Sequence, residues 1–200
     1  LLVGYSAQNE RTETLSQYAE GFASNDQILN LAAANFIQVT KDAEQLYKYE
    51  ALFGRINYNY EGRYTINLTG RRDGSSRFGP NNRFANFGAV GAAWTFSEEK
   101  GIKQLFPLLN YGKLRGSYGS TGNDQIGDYR YFNAYGSTGI PYNQTIGLYP
   151  TALYNPDFGW EENRKAELAL ELGLFNNRIN TTINYYQNRS SNQLLDVPLP

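Results

Sequence analysis

The feature that most limits the fold is two-residue alternation sustained over a dozen residues. From Arg164 to Phe175, Ala166, Leu168, Leu170, Leu172 and Leu174 occupy one parity, and Lys165, Glu167, Ala169, Glu171 and Gly173 occupy the other. Successive strand side chains point to opposite faces, so this segment is a β-strand with one greasy face and one charged face. The stretch Ile179 to Arg189 repeats the pattern, opposing Ile179, Thr181, Ile183 and Tyr185 to Asn180, Thr182, Asn184 and Tyr186. The linker Asn176-Asn177-Arg178 is short, and asparagine tolerates the left-handed backbone of tight hairpins. The two strands should therefore pair antiparallel.

An earlier pair follows the same logic. Leu52, Ile56, Tyr58 and Tyr60 oppose Arg55, Asn57 and Asn59; Glu61-Gly62-Arg63 turns the chain; Tyr64, Ile66 and Leu68 then oppose Thr65, Asn67, Thr69 and Arg71. Two further strands, about Phe84 to Phe96 and Tyr111 to Thr121, are rich in Gly and Ala. Val90, Ala92, Trp94 and Phe96 form one apolar row, and Leu114 and Tyr118 another. Phe87 interrupts the first row, which predicts a bulge there. A short strand opens the chain at Leu1 to Ser6.

Connection lengths between these strands alternate. Long segments at Ala7 to about Lys48, Gly74 to Arg83 and Gly122 to Asn163 fall at one end, and tight turns at Gly62 and Asn177 at the other. Short periplasmic turns and long extracellular loops are the asymmetry of outer-membrane barrels. Ser97 to Asn110 is longer than that pattern predicts, with a helical turn expected around Ile102 to Phe106. Strand length points the same way. An eleven-residue strand rises roughly 36 Å, and a tilt of about 45° leaves roughly 26 Å along the membrane normal, close to an apolar band of about 25 Å. The expected fold class is all-β: a fragment of an antiparallel transmembrane β-barrel in the bacterial outer membrane.

Register then assigns faces. A one-residue slip would turn Lys165, Glu167 and Glu171 toward lipid, where a midplane lysine costs about 2–4 kcal/mol. The reading therefore places Ile56, Tyr58, Ile66, Leu68, Leu168, Leu170, Leu172 and Ile183 against lipid. It places Arg55, Asn57, Asn67, Lys165, Glu167, Glu171 and Asn184 toward the lumen. With the tight turns in the periplasm, Tyr58, Tyr60, Tyr64, Trp94, Phe96, Tyr111 and Phe175 fall near one interface as an aromatic girdle. A soluble carbohydrate-binding β-sandwich would show the same alternation and aromatic loops, and a passive porin the same strands.

Composition excludes more than it selects. Residues are 40% hydrophobic with mean hydropathy −0.57, and no apolar stretch reaches the length of a membrane helix. The polar lumen face of a barrel lowers such an average. With no cysteine and no histidine, thiolate zinc sites, disulfides and the usual general base are absent from this segment, and no cofactor or metal is expected. A formal net charge of −1 leaves no electrostatic footprint for nucleic acid. The adjacent carboxylates Glu98/Glu99 and Glu161/Glu162 point apart on extended chain, unlike a glycosidase pair. Asn123, Asp124 and Asp128 lack calcium-loop spacing. No enzyme activity is expected.

The segment Gly122 to Asn163 is dense in aromatics among Gly, Asn and Pro. Tyr142, Tyr149, Tyr154 and Trp160 are candidates for contact with a ligand, or equally for a small core within the loop. The chain begins at Leu1 without methionine and ends after an apolar run, Leu194 to Leu199, so an internal fragment is expected.

Particular strings carry a resemblance: Gly54-Arg55-Ile56-Asn57-Tyr58, Arg63-Tyr64, Arg72-Asp73-Gly74-Ser75-Ser76-Arg77-Phe78-Gly79, Asn82-Arg83, and Ala93-Trp94 before Ser97-Glu98-Glu99. They continue through Lys113-Leu114-Arg115-Gly116-Ser117-Tyr118-Gly119, Thr121-Gly122-Asn123, Ile126-Gly127, Asn155-Pro156-Asp157, Trp160-Glu161, Asn177-Arg178-Ile179 and Tyr185-Tyr186. In this order, over about Leu46 to Pro200, they resemble the SusC/RagA family of TonB-linked outer-membrane proteins. Departures are local: Phe84 stands where the family often has Trp, and Gly88-Ala89 where Pro-Ser is common. The resemblance implies that residues 1–200 are part of a larger plugged barrel whose plug and signal sequence lie outside them. It implies import of a large nutrient, an oligosaccharide or a peptide, energised through the TonB system. It further implies a SusD-like lipoprotein over the loops, making the aromatic loop a candidate for lid contact.

Overall fold

The structure is a computed structural model and describes residues 1–151 and 155–193. Among them the strands are β1 (Leu2–Glu20), β2 (Phe36–Tyr60), β3 (Tyr64–Ser75), β4 (Phe84–Trp94), β5 (Leu109–Asn123), β6 (Tyr135–Tyr142), β7 (Thr145–Pro150), β8 (Glu161–Leu174) and β9 (Ile179–Ser191), with one short helix, α1 (Lys100–Leu105). Seven strands form one sheet in the order β1-β2-β3-β4-β5-β8-β9, and β6 pairs with β7 apart from it. Every sheet neighbour is also the next strand in the chain, except where β6 and β7 intervene between β5 and β8. Pairing from β2 to β9 is antiparallel throughout.

The chain divides into two units, residues 8–48 and the remainder. The smaller unit is a long two-stranded arm where the sequence reading expects a connection from Ala7 to Lys48. Its strands escape the alternation test because almost every position is exposed on both faces, so no apolar parity develops. What holds it is polar: Arg11 bridges Glu13 (2.7 Å) and Glu44 (3.0 Å), and the Thr40 hydroxyl donates to the Ser16 carbonyl at 3.1 Å. Gly21, at φ 78°, leads off the connection to β2.

In the larger unit the tight turns form as the residues require. Glu61 and Gly62 take φ of 51° and 70°, and the Asn59 side chain accepts from the Gly62 amide at 2.9 Å. At the second turn Asn176 and Asn177 are left-handed, as expected, and so is Phe175 at φ 55°. Two bonds from the neighbouring connection hold that turn: the Phe175 amide donates to the Leu108 carbonyl (3.0 Å), and the Asn176 amide to Asn110 Oδ1 (2.6 Å).

Between β4 and β5 the chain makes a 3-10 turn at Phe96–Glu98 and then α1, so Phe96 lies outside the strand. Glu99 gathers the Tyr64 hydroxyl (2.7 Å), the Trp94 indole N–H (3.4 Å) and Arg63 (3.3 Å). The Tyr64 hydrogen bond leads in holding its carboxyl below the usual carboxylate range, against the opposing effect of burial. A lowered native value means this stabilisation is full above the unfolded pKa and is lost as pH falls through the native one.

The expected bulge at Phe87 is absent. Phe87 pairs with Arg71 in an unbroken β3–β4 register, and its ring leaves the apolar row because it belongs to the other parity. The irregularity lies in β5 instead, where Leu109 opposes Leu174 and Tyr111 opposes Gly173. The extra residue, Asn110, is the one that clasps Asn176. At Gly119 β5 lies close against β4: a Cβ there would lie 2.6 Å from Ala89 Cβ and 3.0 Å from Gly88 O. Backbone cannot yield as a side-chain tip can. A Gly119→Val change in the full-length protein should therefore cost about 1–3 kcal/mol by overpacking, read as a lower unfolding temperature of the assembled protein; an unchanged temperature would refute the tight contact.

Candidate functional site

Residues directly opposite in an antiparallel pair share a face, so the pairing register turns strand alternation into a map of the whole sheet. On one face, rows run Ile56–Leu68–Val90–Tyr118–Ala166, then Tyr58–Ile66–Ala92–Gly116–Leu168–Tyr185, then Tyr60–Tyr64–Trp94–Leu114–Leu170–Ile183. Leu172, opposite Gly112, continues that face. The opposite face carries Arg55–Thr69–Ala89–Gly119–Lys165, Asn57–Asn67–Gly91–Ser117–Glu167 and Asn59–Thr65–Ala93–Arg115–Ala169–Asn184, with Lys113 beside Glu171. No slip crosses these rows. All eight residues read as lipid-facing thus share one face, and all seven read as lumen-facing share the other.

The two faces differ in how their side chains are satisfied. On the apolar face Ile56, Tyr58, Ile66, Leu68, Leu168 and Ile183 are each 45–59% exposed, an apolar surface that a soluble monomer rarely leaves uncovered. On the polar face the groups bond to one another. Asn57 donates to Asn67 (2.7 Å) and Asn59 to Thr65 (2.8 Å). Arg115 reaches Glu167 (2.8 Å), Glu171 (2.9 Å) and Asn184 (3.4 Å). A cavity of about 250 Å³ opens beside it, lined by Thr65, Asn67, Lys113, Arg115, Ser117 and Glu167. Tyr111 belongs here also, its hydroxyl 3.5 Å from Glu171, rather than with the girdle rings, where Tyr60 and Tyr64 stack at 6.5 Å and Trp94 meets Phe96 edge to face at 5.7 Å.

At the long-connection end the polar face grows a small core. Phe78, Phe87 and Trp160 are buried together, with Trp160 5.1 Å from Phe78 and 5.7 Å from Phe87 between ring centres. The Trp160 indole donates to the Arg83 carbonyl (3.2 Å) and Asn82 to the Phe158 carbonyl (3.3 Å), binding connection 76–83 to connection 124–160. Arg77 adds a charged tie, meeting Asp128 at 2.9 Å and the Asp124 carbonyl at 3.1 Å. Below them the nearly buried Asp73 accepts from Arg71 at 2.9 Å, and Arg71 donates to the Tyr49 hydroxyl at 2.7 Å.

The four aromatic candidates therefore separate. Trp160 is 8% exposed and sits in the core, which leaves its ring almost no surface for a ligand. Tyr142 and Tyr149, at 88% and 50% exposed, lie on the β6–β7 hairpin and are open; Tyr154 lies outside the described residues. That hairpin turns on Asn143 and Gln144, both left-handed, within a segment the sequence reading leaves as loop. The paired carboxylates part as expected. Glu98 meets Lys103 and Glu99 meets Arg63, while Glu161 accepts from Asn123 and Glu162 pairs with Arg164. Among the described residues no acidic cluster has metal-binding geometry. Arg71, Asp73, Arg77 and Arg115 escape the sequence reading as a set, because their partners are fixed by register and by contacts between connections.

A family model described as TonB dependent receptor-like, β-barrel matches residues 1–200. A TonB-dependent receptor of Formosa agariphila is 41% identical over 150 residues, covering 75% of this chain and 14% of its own length. The TonB-dependent receptor SusC of Bacteroides thetaiotaomicron is 33% identical over 158 residues, 74% of this chain and 15% of its own. The solved RagAB peptide transporter superposes with a TM-score of 0.83 at 30% identity, covering 99% of this chain and 22% of the transporter chain. The chain thus spans about a fifth or less of the length of these curated relatives.

Arg77→Met should release the tie between the two long connections while leaving the strands paired. Hydrogen exchange of the full-length protein should then accelerate across residues 124–132 by about tenfold, for the loss of roughly 1.5 kcal/mol of charged hydrogen bonding; unchanged exchange would show that the aromatic core alone holds them.

Proposed function

The chain belongs to the TonB-dependent receptor β-barrel family, and on that premise we propose that it forms part of the wall of an energised importer in the bacterial outer membrane. The observation that carries this reading is the unbroken separation of an exposed apolar face from a self-bonded polar face. In such a wall Ile56, Tyr58, Ile66, Leu68, Leu168, Leu170, Leu172 and Ile183 meet lipid. Arg55, Asn57, Asn67, Lys165, Glu167, Glu171 and Asn184 face the lumen. The alternation satisfies both solvents at once, and the ladder satisfies the backbone, which hydrocarbon cannot.

The proposed cargo is a large nutrient, an oligosaccharide or, as the name of the RagAB peptide transporter favours, a peptide. Energy would reach it through the TonB system by way of regions beyond residues 1–200. A SusD-like lipoprotein would cover the long-connection end. There the exposed Tyr142 and Tyr149 offer flat amphipathic rings to a sugar face, a peptide or the lid itself, while the Phe78–Phe87–Trp160 core and the Arg77 tie keep their base rigid.

Two measurements test the reading. Cells carrying the full-length gene should accumulate labelled oligosaccharide or peptide only when the TonB system is intact; accumulation that persists without it would indicate a passive pore. Leu170→Lys places a charge on the apolar face at a cost of about 2–4 kcal/mol near the bilayer midplane. Its expected outcome is loss of heat-modifiable, membrane-embedded protein, and normal assembly would remove Leu170 from lipid.

A further inference from the structure

The β6–β7 hairpin stands apart from the seven-stranded sheet, and two strands alone are marginally stable in water. We propose that the outer edge of β7 takes an extended peptide as a third strand, an inference that rests on the peptide-import reading above.

The two edges of the hairpin are built differently. Along β6 the register is interrupted between Ser137 and Pro141, where residues 138–140 stand against Gly147 alone, and Gly139 takes a φ of 70°. Pro141 has no N–H to offer. Bulges and prolines are what keep sheet edges from pairing, so β6 is guarded. Between Thr145 and Tyr149, β7 carries neither. No residue from Tyr135 to Pro150 is charged, so the other common guard, an edge lysine, is missing as well.

The direction of the free groups follows from the ladder. Asn143 and Gln144, at φ 47° and 65°, form a two-residue turn that closes on a bonded pair, Tyr142 with Thr145. At the far end the Thr151 amide donates to the Ala134 carbonyl at 2.8 Å. Backbone groups alternate sides along a strand, so Thr145, Gly147, Tyr149 and Thr151 turn toward β6 while Ile146, Leu148 and Pro150 turn away. Pro150 agrees with this parity, since its missing N–H falls on the outward side and takes nothing from the hairpin. The open edge thus presents the N–H and C=O of Ile146 and of Leu148, and among the described residues these groups have no backbone partner.

That chemistry selects the occupant. A row of alternating N–H and C=O groups is complemented by another extended backbone, and not by a sugar or an acyl chain. The edge is also short: β7 is six residues long, and pairing along it buries less than the roughly 1,200–2,000 Å² of a stable protein interface. Such an edge suits a ligand that must be released, not a permanent partner or a second receptor. Side chains then narrow the peptide. Ile146 and Leu148, 58% and 70% exposed, flank the edge on one face, opposite Pro141 and Ser137, and Gly147 and Tyr149 flank it on the other. A bound strand lays alternate residues beside these two faces, so the edge fits an uncharged segment with apolar residues at every second position.

The test titrates the full-length receptor in nanodiscs with a short peptide of alternating valine and threonine and follows amide exchange across residues 145–150. Binding should slow exchange at Ile146 and Leu148 and leave Gly147 and Tyr149 little changed. Leu148→Pro removes one outward N–H, as Pro150 already does at the next outward position, and spares the β6–β7 ladder; affinity should fall about tenfold, equivalent to about 1.4 kcal/mol. Leu148→Ala keeps that N–H and should lose far less. The same peptide with its amides N-methylated keeps every side chain but cannot complete the ladder, and should bind more weakly by about tenfold or more. Equal binding of the methylated peptide, or bound peptide with unchanged exchange at Ile146 and Leu148, would overturn the edge site and leave the import reading standing. Protection of those amides without peptide, rising with the concentration of receptor or lipoprotein, would overturn it in favour of a protein partner. If an oligosaccharide binds the receptor and no peptide does, the peptide reading itself fails.

Discussion

Register is the constraint on which the rest of this chain depends. A strand carries two opposed populations of side chains, and a shift of one residue exchanges them. From β2 to β9 the pairings hold one parity across the sheet, so that Ile56, Leu68, Val90 and Tyr118 line up on one side while Arg55, Thr69, Ala89 and Gly119 line up on the other. The two tight turns, at Gly62 and Asn177, keep neighbouring strands from slipping. Where β5 does slip, at Asn110, the extra residue is used twice: it brings Leu109 onto the apolar face and anchors the next turn through Asn176. Small residues at Ala89, Gly91 and Gly119 let the central strands approach closely, which a single methyl at Gly119 would prevent.

The polar face gains its order from the same ladder. Arg115 meets Glu167 and Glu171 only because β5 and β8 pair at one register. These side chains are partly exposed, so each pair contributes modestly; their value lies in fixing side-chain positions on a surface proposed to line a passage. Toward the long connections the face changes character, from amide and hydroxyl pairs to the aromatic core around Trp160 and the Arg77–Asp128 tie. The strands thus pass into loop bases tied to one another, and the hairpin beyond them carries the exposed Tyr142 and Tyr149.

Much of this was legible in the sequence. The Arg164–Phe175 alternation and the Asn177 turn give strands and the parity of their faces, and the resemblance carried by Arg72-Asp73-Gly74 and its neighbours gives the family, which the family match over residues 1–200 bears out. Three things were not legible. The arm of residues 8–48 has no buried face, so hydrophobic periodicity is silent there. The β6–β7 hairpin turns on Asn143-Gln144 and contains a Pro and an irregular register, which masks its strands. Phe87 and Trp160 looked like an interruption and a ligand platform, because a single strand does not reveal that connections 76–83 and 124–160 meet over them.

The central claim is that one face of the sheet meets hydrocarbon and the other meets water. Single nitroxide labels at each position from 165 to 174 of the full-length receptor in lipid bilayers test it, with collision rates measured against oxygen and a water-soluble nickel complex. The account requires oxygen accessibility to peak at 166, 168, 170 and 172 and nickel accessibility to peak at 165, 167 and 171. Equal nickel accessibility at both parities would contradict it and return the sheet to water on both sides.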